Sequence, residues 1–240
     1  MTTALITGGN RGIGRAVAEA LAERGMSVII GSRSQADGAN LAQKIGPGVT
    51  SVQLDVTDAA SVHAAASWVD EHAGGVDVLI NNAGVLPEAT HSATEVVGLE
   101  MFRQTFATNV FGAVAVIEAF LPQLRRSSRG RIVNVSSTMG SLADQTNPGS
   151  PYYDTIVPAY QSSKAALNSV TIALAKALRE SPIKVTSVCP GFVQTDLTPA
   201  NREQAPLTPD QAAQIVVDAA TLADDAPSGS FIDARGTVPW

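Results

Sequence analysis

Short apolar runs alternate along the chain with longer segments of helical periodicity. The apolar runs predict strands at residues 4–7, 28–30, 49–54, 76–80, 131–135, 184–189 and 230–232. The periodic segments predict helices at residues 15–24, 58–73, 101–124, 160–180 and 209–222. Strands that alternate with helices form a parallel sheet covered on both faces. We therefore predict a doubly wound α/β fold of about seven strands, whose ligands bind at the carboxyl ends of the strands.

Composition narrows the class of protein. The 240 residues are 45% hydrophobic with a formal net charge of −6, which predicts a single domain over residues 1–240 and disfavours nucleic acid or an anionic membrane as a partner. No basic, apolar leader and no apolar run of about 20 residues is evident. With one cysteine and no disulfide, a cytoplasmic protein is expected.

The sequence lacks a metal-ligand motif. His63, His72 and His91 are scattered, and Cys189 is the only cysteine. Because metal sites need clustered ligands, we expect no bound metal. The histidines are predicted on the surface or in loops, and the thiol is predicted to be buried at a strand end.

A glycine-rich turn, TGGNRGIG, joins the first predicted strand to the first helix. In such a βαβ unit, glycines allow a tight turn, close approach of the backbone to a pyrophosphate, and close packing of the helix. The helix N-terminus then offers free N–H groups to the phosphates. Gly8, Gly12 and Gly14 therefore predict nucleotide binding, although such a pattern is also found in ordinary turns.

Polar residues follow the later strands. Asp55 follows the third strand, Asn81 and Asn82 the fourth, Ser136 and Ser137 the fifth, and residues 190–196 the sixth. In a doubly wound fold these groups converge on one edge of the sheet. Each alone is also compatible with a cap or turn position.

Tyr160 and Lys164 lie four residues apart on a predicted helix and therefore share one face. Making a phenol with a pKa near 10 useful at pH 7 takes about 4 kcal/mol. One cation about 4 Å away supplies roughly that much at an effective dielectric constant of about 20. The pair is therefore either an ordinary surface contact or an acid/base device.

Five motifs, in order, resemble those of the short-chain dehydrogenase/reductase family. They are TGGNRGIG at 7–14, NNAG at 81–84, NVSS at 134–137, YQSSK at 160–164 and PGFVQTD at 190–196. The resemblance spans nearly the whole chain and implies a Rossmann fold. It also implies hydride transfer between a nicotinamide cofactor and a small-molecule carbonyl or alcohol substrate.

The resemblance also implies four catalytic residues. Tyr160 would be the general acid/base, and Ser137 would hydrogen-bond the reacting oxygen, with Ser136 supporting the turn. Lys164 would hold the nicotinamide ribose and lower the pKa of Tyr160. Asn109 would hold a water that links Lys164 to solvent.

The expected cofactor is NADP(H) rather than NAD(H). The second strand ends in GSRS, without the carboxylate that accepts from a free 2′-hydroxyl, whereas Arg11 and Arg33 are available for a 2′-phosphate. Either arginine is alternatively a solvated surface charge. The resemblance implies that Asp55 approaches the adenine amine of the cofactor, and that Val193 and Thr195 contact its carboxamide. The full predicted cofactor set is Gly8, Asn10, Arg11, Gly12, Ile13, Gly14, Ser32, Arg33, Asp55, Val56, Asn81, Ala83, Gly84, Tyr160, Lys164, Pro190, Gly191, Val193 and Thr195.

Ser137 and Tyr160 are separated by an inserted segment, residues 144–158, as in members that resemble carbonyl reductases. We predict either a loop over the substrate pocket, with Tyr152 or Tyr153 on substrate, or a simple surface loop. An apolar pocket wall favours an uncharged ketone, aldehyde or quinone. Its predicted members are Leu86, Met139, Tyr152, Tyr153, Phe192 and Leu197.

Two other functions fit the same fold: a nucleotide-sensing or partner-binding module without catalysis, and epimerisation or dehydration on the same scaffold. The helix after Tyr160 is apolar almost all round, which predicts burial against a second copy. We expect a homodimer or homotetramer, unless the insertion blocks association and leaves a monomer.

Overall fold

The structure is a computed structural model that describes residues 1–90 and 98–240; His91 lies outside them. The strands are β1 Thr3–Thr7, β2 Ser27–Ser32, β3 Val49–Gln53, β4 Val78–Asn81, β5 Arg131–Val135, β6 Lys184–Val188, β7 Ser230–Asp233 and β8 Gly236–Thr237. The helices are α1 Gly12–Glu23, α2 Gln35–Ile45, α3 Ala59–Ala73, α4 Leu99–Phe106, α5 Ala113–Leu124, α6 Leu142–Gln145, α7 Pro158–Ala177, α8 Pro199–Gln204 and α9 Pro209–Ala220.

The described strands form one sheet in the order β3-β2-β1-β4-β5-β6-β7-β8. The predicted doubly wound sheet is confirmed: the first seven strands are parallel, and β8 pairs antiparallel with β7. The strand order reverses at β1, which lies between β2 and β4. This is the place where a doubly wound sheet opens a binding crevice.

Both faces of the sheet are buried, as the continuous apolar strands predict. In β1, Ala4 and Ile6 belong to the core cluster on the side of α1 and α9, whereas Leu5 belongs to the opposite cluster. Phe120 of α5 is fully buried in that second cluster. The sheet is therefore rigidly held between two helical layers, and its strand ends are fixed in position.

Four of these helices and strands are additional to those predicted, namely α2, α6, α8 and β8. Helix α2 was not predicted because its sequence is mostly polar, with Gly38 in its middle; Leu41 and Ala42 supply its buried apolar contacts. It begins at a Ser34 cap, whose hydroxyl accepts from the N–H of Asp37. Strand β8 is two residues long, too short for an alternation pattern to reveal.

The segment Leu99–Leu124 is helical throughout, with a π-helical turn, Ala107–Gly112, between α4 and α5. By length and composition it is the one helix among the described residues that is apolar enough to cross a membrane, and 44% of its most apolar stretch is buried inside the protein. Val116, Ile117 and Phe120 are among its core residues. A core helix of a folded domain meets the same criterion.

Candidate active site

A cleft of about 430 Å³ opens at the carboxyl ends of the strands, where the strand order reverses. The structure brings most of the predicted residues into its lining. They are Gly8, Asn10, Arg11, Gly12, Ile13, Ser32, Arg33, Asp55, Val56, Ala83, Gly84, Ser137, Tyr160, Lys164, Pro190, Gly191, Val193 and Thr195. Gly14, Asn81 and Asn109 lie outside this lining.

The glycine turn packs too closely for larger residues. Gly8 and Gly12 have positive φ angles, 62° and 52°, which L-residues rarely adopt. A Cβ on Gly14 would lie 2.5 Å from both the carbonyl oxygen of Gly8 and Nδ2 of Asn82. Gly14 therefore packs the turn against its surroundings, while Gly8 and Gly12 face the cleft.

Helix α1 begins at this turn, directed at the cleft. Its N-cap residue, Arg11, makes no side-chain capping bond within the described part of the chain, and its first turn contains no acidic residue. The first N–H groups of a helix attract anions when no side chain satisfies them. The turn and the helix N-terminus together fit a pyrophosphate.

Asn82, rather than Asn81, supports the cleft. Asn81 is the last residue of β4 and is 4% exposed, and its Nδ2 donates to Oδ1 of Asn134 across the sheet, 2.9 Å away. The next residue, Asn82, lines the cleft and donates to the carbonyl oxygens of Thr7 and Gly8. The side-chain amide of Asn81 is therefore held within the sheet, because β4 continues one residue farther than predicted.

An unpaired hydroxyl lies at the end of β2. Ser32 is 1% exposed, and its Oγ has no hydrogen-bond partner among the described residues. Arg33 and Ser34 follow in the cleft lining, together with Asp37, a carboxylate that the sequence analysis did not place there. The buried hydroxyl and the adjacent cation fit the polar end of an adenosine ribose.

Asp55 borders the same end of the cleft. Desolvation raises the pKa of its carboxyl, but hydrogen bonds from Thr57 and the charge of Arg33 outweigh this and hold the pKa below its ordinary value. Oδ1 of Asp55 accepts from the N–H and the hydroxyl of Thr57 at 2.9 and 2.7 Å. Asp55 is therefore an ionised hydrogen-bond acceptor at neutral pH.

Tyr160, Lys164 and Ser137 meet at the other end of the cleft. Tyr160 and Lys164 are 7% and 4% exposed, and Nζ of Lys164 lies 5.6 Å from the centre of the Tyr160 ring. The side chain of Ser137 adjoins the phenol and lowers its pKa, whereas Ser136 is buried and donates to Oδ1 of Asn168 at 2.7 Å. Of the two serines, Ser137 is therefore the one that faces Tyr160.

Burial has the largest effect on the pKa values of Tyr160 and Lys164. It raises the pKa of Tyr160 above its ordinary value; the Cys189 thiol raises the pKa further, and the Ser137 side chain lowers it by less. Desolvation lowers the pKa of Lys164 from 10.5 to about 8. The predicted lowering of the Tyr160 pKa is thus wrong for the protein alone: the ammonium is itself desolvated, and it donates to the carbonyl oxygen of Val135 at 2.8 Å.

Asn109 lies behind the cleft, in the π-helical turn, and is 1% exposed. Its Oδ1 accepts from the N–H of Val85 at 2.9 Å, and its Nδ2 donates to the carbonyl oxygen of Val85 at 3.0 Å and to Oγ of Ser163 at 3.1 Å. π-helical turns often occur at functional sites. The side chain of Asn109 therefore holds the cleft wall at Val85 in place.

The inserted segment brings one of its two tyrosines close to Tyr160. Tyr152 is half-buried; desolvation and then the Cys189 thiol raise its pKa, and it interacts electrostatically with Tyr160. Tyr153 is 46% exposed. Of the six residues predicted to form the substrate pocket wall, Leu197 belongs to the lining of this cleft; the other five stay a prediction.

The other candidate ligands are placed as predicted where the structure describes them. His63 and His72 are exposed, and Cys189 is 6% exposed, with its Sγ 3.8 Å from Oγ1 of Thr138. Within residues 1–90 and 98–240, no group of three or more His, Cys, Asp and Glu side chains is arranged to hold a metal ion.

Comparisons with known proteins give a consistent result. The family model described as short chain dehydrogenase matches residues 2–206. A short-chain dehydrogenase of Penicillium roqueforti is 35% identical, over 98% of this chain and 94% of that protein. An NADPH-bound carbonyl reductase from chicken fatty liver has a TM-score of 0.86 at 29% identity, covering 100% of this chain and 99% of that one. A 3-ketoacyl-(acyl-carrier-protein) reductase from Brucella melitensis, complexed with NADH, has a TM-score of 0.82 at 28% identity, covering 97% and 96%.

Proposed function

The chain belongs to the short chain dehydrogenase family of oxidoreductases, and we propose that it transfers a hydride between NADP(H) and an uncharged carbonyl or alcohol substrate. The observation that carries this proposal is the buried phenol of Tyr160, which lies beside Ser137 and Lys164 at one end of a dinucleotide-sized cleft. The cofactor, when bound, supplies the hydride.

In the direction of reduction, Tyr160 donates its phenolic proton to the oxygen of the carbonyl. Burial raises the pKa of Tyr160, so the phenol is protonated at neutral pH, which is the form that a proton donor needs. The hydroxyl of Ser137, next to that phenol, hydrogen-bonds the same oxygen as negative charge develops on it. At neutral pH the phenol therefore carries the proton that reduction of a carbonyl requires.

Different residues of the cleft bind different parts of the cofactor. The glycine turn and the N-terminus of α1 bind the pyrophosphate, Asp55 accepts from the adenine amine, and Lys164 holds the nicotinamide ribose. Ser32 and Arg33 bind the 2′-phosphate of NADP(H), because a buried hydroxyl without a described partner and an adjacent guanidinium suit a phosphate. The two similar solved structures hold different cofactors, NADPH and NADH, so the choice rests on these residues.

Replacing Arg33 with alanine is expected to weaken NADPH binding by about 10- to 100-fold and to leave NADH binding within about twofold, since hydrogen bonds to a charged group contribute about 1.5–3 kcal/mol. Fluorescence titration of both cofactors measures this difference. Arg179→Ala, at an exposed arginine paired with Glu180, is the matched control. Tighter binding of NADH than NADPH by the wild-type protein, unchanged in Arg33→Ala, would contradict the assignment.

A screen of NADPH oxidation against aliphatic ketones, aromatic aldehydes and quinones tests the reaction itself. We expect turnover with at least one uncharged carbonyl compound and weaker turnover with phosphorylated analogues. Product analysis separates reduction from epimerisation or dehydration, which would leave NADPH unconsumed. Binding of NADPH without any turnover across the panel would favour a nucleotide-sensing module instead.

We also propose that the protein is a homodimer. Phe111 and Val114 are 66% and 39% exposed on the surface of the α4–α5 segment, and Phe111 continues a series of ring contacts with Phe106 and Phe102. This surface adjoins α7, whose Ala173 is also exposed. Light scattering is expected to show a dimer for the wild-type protein and a monomer for Phe111→Asp. The control is Leu142→Asp, beside the inserted segment, which is expected to remain a dimer. A wild-type monomer would overturn the proposal.

A further inference from the structure

Helix α7, which carries Tyr160, begins without a polar cap of its own. Its N-cap residue is Val157, which has no polar side-chain atom, and its first residue is Pro158, which has no N–H. The N–H groups of the next two residues, Ala159 and Tyr160, are those that a capping side chain normally satisfies. The acceptor for them must therefore come from another part of the chain.

Glu88 supplies that acceptor from more than 70 residues away. Its Oε1 accepts from the N–H of Ala159 at 2.9 Å, and its Oε2 accepts from the N–H of Tyr160 at 2.8 Å. Glu88 lies in a 3₁₀ turn, Pro87–Thr90, which follows the cleft-lining residues Gly84 and Val85. A carboxylate is also the charge that a helix N-terminus favours.

The backbone carbonyl group of Tyr160 is also hydrogen-bonded. Its carbonyl oxygen accepts from Oγ of Ser163 at 2.8 Å, and that Oγ accepts from Nδ2 of Asn109 at 3.1 Å. Asn109 in turn bonds both backbone groups of Val85, three residues before Glu88. A closed ring of hydrogen bonds thus joins both peptide groups of Tyr160 to the cleft wall at residues 85–88.

We infer that Glu88 is a positioning residue for Tyr160. By capping α7 it fixes the height and orientation of the phenol relative to the cleft wall, although it does not touch the reacting atoms. This inference rests on the proposed role of Tyr160 as proton donor. Misplacement of a reacting group by about 1 Å can reduce the rate about 100-fold, so loss of the cap has a measurable consequence.

The first test is steady-state kinetics on wild-type protein, Glu88→Ala and Glu88→Gln, with the best carbonyl substrate from the NADPH screen. Glu88→Ala is expected to lower kcat by about 10- to 100-fold and to leave the dissociation constant of NADPH within about twofold. Glu88→Gln keeps one carbonyl acceptor and is expected to recover part of kcat. It also serves as the test variant if Glu88→Ala does not fold.

The matched control is Thr208→Ala, which removes the capping box of α9, a helix whose start lies outside the cleft lining. It removes a helix cap just as Glu88→Ala does, so any general effect of lost stability appears in both. The inference requires kcat to fall in Glu88→Ala alone, at a temperature where both variants are folded. Equal kcat in wild-type protein and Glu88→Ala would overturn it.

Backbone amide exchange provides a readout that does not need turnover. Glu88→Ala is expected to speed exchange at residues 159–160, while Thr208→Ala speeds it only at the start of α9. The near-ultraviolet circular dichroism of the Tyr160 ring, obtained as the difference between each protein and its Tyr160→Phe counterpart, is expected to change in Glu88→Ala. If the wild-type protein reduces no carbonyl compound, the proposed function fails. The positioning of Tyr160 by Glu88 is then judged on amide exchange and the signal of the Tyr160 ring: it stands if both change in Glu88→Ala and falls if either is unchanged.

Discussion

Replacing Tyr160 with phenylalanine is expected to abolish nearly all turnover while the protein still folds and binds NADPH. The substitution removes one oxygen atom and keeps the ring, which is 7% exposed and packed beside Lys164. General acid catalysis contributes about 100- to 10,000-fold to a rate, so kcat should fall by at least that factor. Loss of the polar contact with Ser137 costs at most about 1 kcal/mol of stability.

The measurement is kcat for carbonyl reduction, together with the NADPH dissociation constant and the thermal midpoint of unfolding. Trp68→Phe is the control, because Trp68 lies in α3, outside the described cleft lining; it should retain full activity. A Tyr160→Phe enzyme with more than about a tenth of wild-type kcat would show that another group donates the proton. An inactive variant that no longer binds NADPH would leave the loss of turnover explained by binding rather than by proton transfer.

The arrangement of the sheet was predictable because parallel strands are buried on both faces and read as continuous apolar runs. Each predicted strand is found within two residues of its expected bounds. Since the carboxyl ends of parallel strands meet at one edge, the positions of Asp55, Ser137 and the glycine turn followed from the strand positions. Nothing in the apolar pattern marks α2, whose buried residues are too few to produce a clear stripe.

Single-residue placement at strand ends was less predictable. Asn81 and Asn82 are adjacent and chemically identical, and the difference between a sheet-bound amide and a cleft-supporting one depends on where β4 ends. That point is set by pairing of Asn81 with Asn134 in β5, a contact between segments 53 residues apart. The residues next to Asn81 and Asn82 in the sequence do not indicate this pairing.

Groups that act through tertiary contacts also escaped the sequence analysis. The cap from Glu88 left one signal, namely a helix that begins at Val157 and Pro158 without a polar cap residue. No sequence signal indicated the direction in which the pKa of Tyr160 changes. Helical spacing indicates that Lys164 is near, but that direction depends on how much water the fold removes from both groups. Burial is a property of the assembled structure.

Replacing Lys164 with methionine is expected to remove at least 99% of the activity and to change how stability depends on pH. The activity falls because the ammonium is proposed to hold the nicotinamide ribose and adjoins the phenol. The stability effect follows from burial, which lowers the Lys164 pKa from 10.5 to about 8 in the folded protein. This corresponds to about 3 kcal/mol of unfavourable free energy while the lysine is charged in both states, below about pH 8.

The sign of the pH effect follows from proton binding. Between about pH 8 and 10.5 the unfolded chain holds more protons on this lysine than the folded protein does. Stability rises with pH wherever the unfolded state binds more protons. The wild-type free energy of unfolding should therefore increase relative to that of Lys164→Met, by at most about 1.4 kcal/mol per pH unit. Tyr160 is present in both proteins, so its own titration cancels from the comparison unless the substitution changes it.

Urea denaturation of both proteins without cofactor, at intervals from pH 7 to 9.5, measures this difference. At pH 7 the methionine variant avoids the buried charge but leaves the carbonyl oxygen of Val135 without its 2.8 Å donor, a loss of about 1–3 kcal/mol, so the two effects nearly offset. Only the slope with pH separates them. Lys176→Met, at an exposed lysine on the same helix, is the control for the same change of side chain outside the buried site. Parallel curves for wild-type protein and Lys164→Met would mean that Lys164 keeps an ordinary pKa and that the phenol has a fully charged neighbour throughout the neutral range.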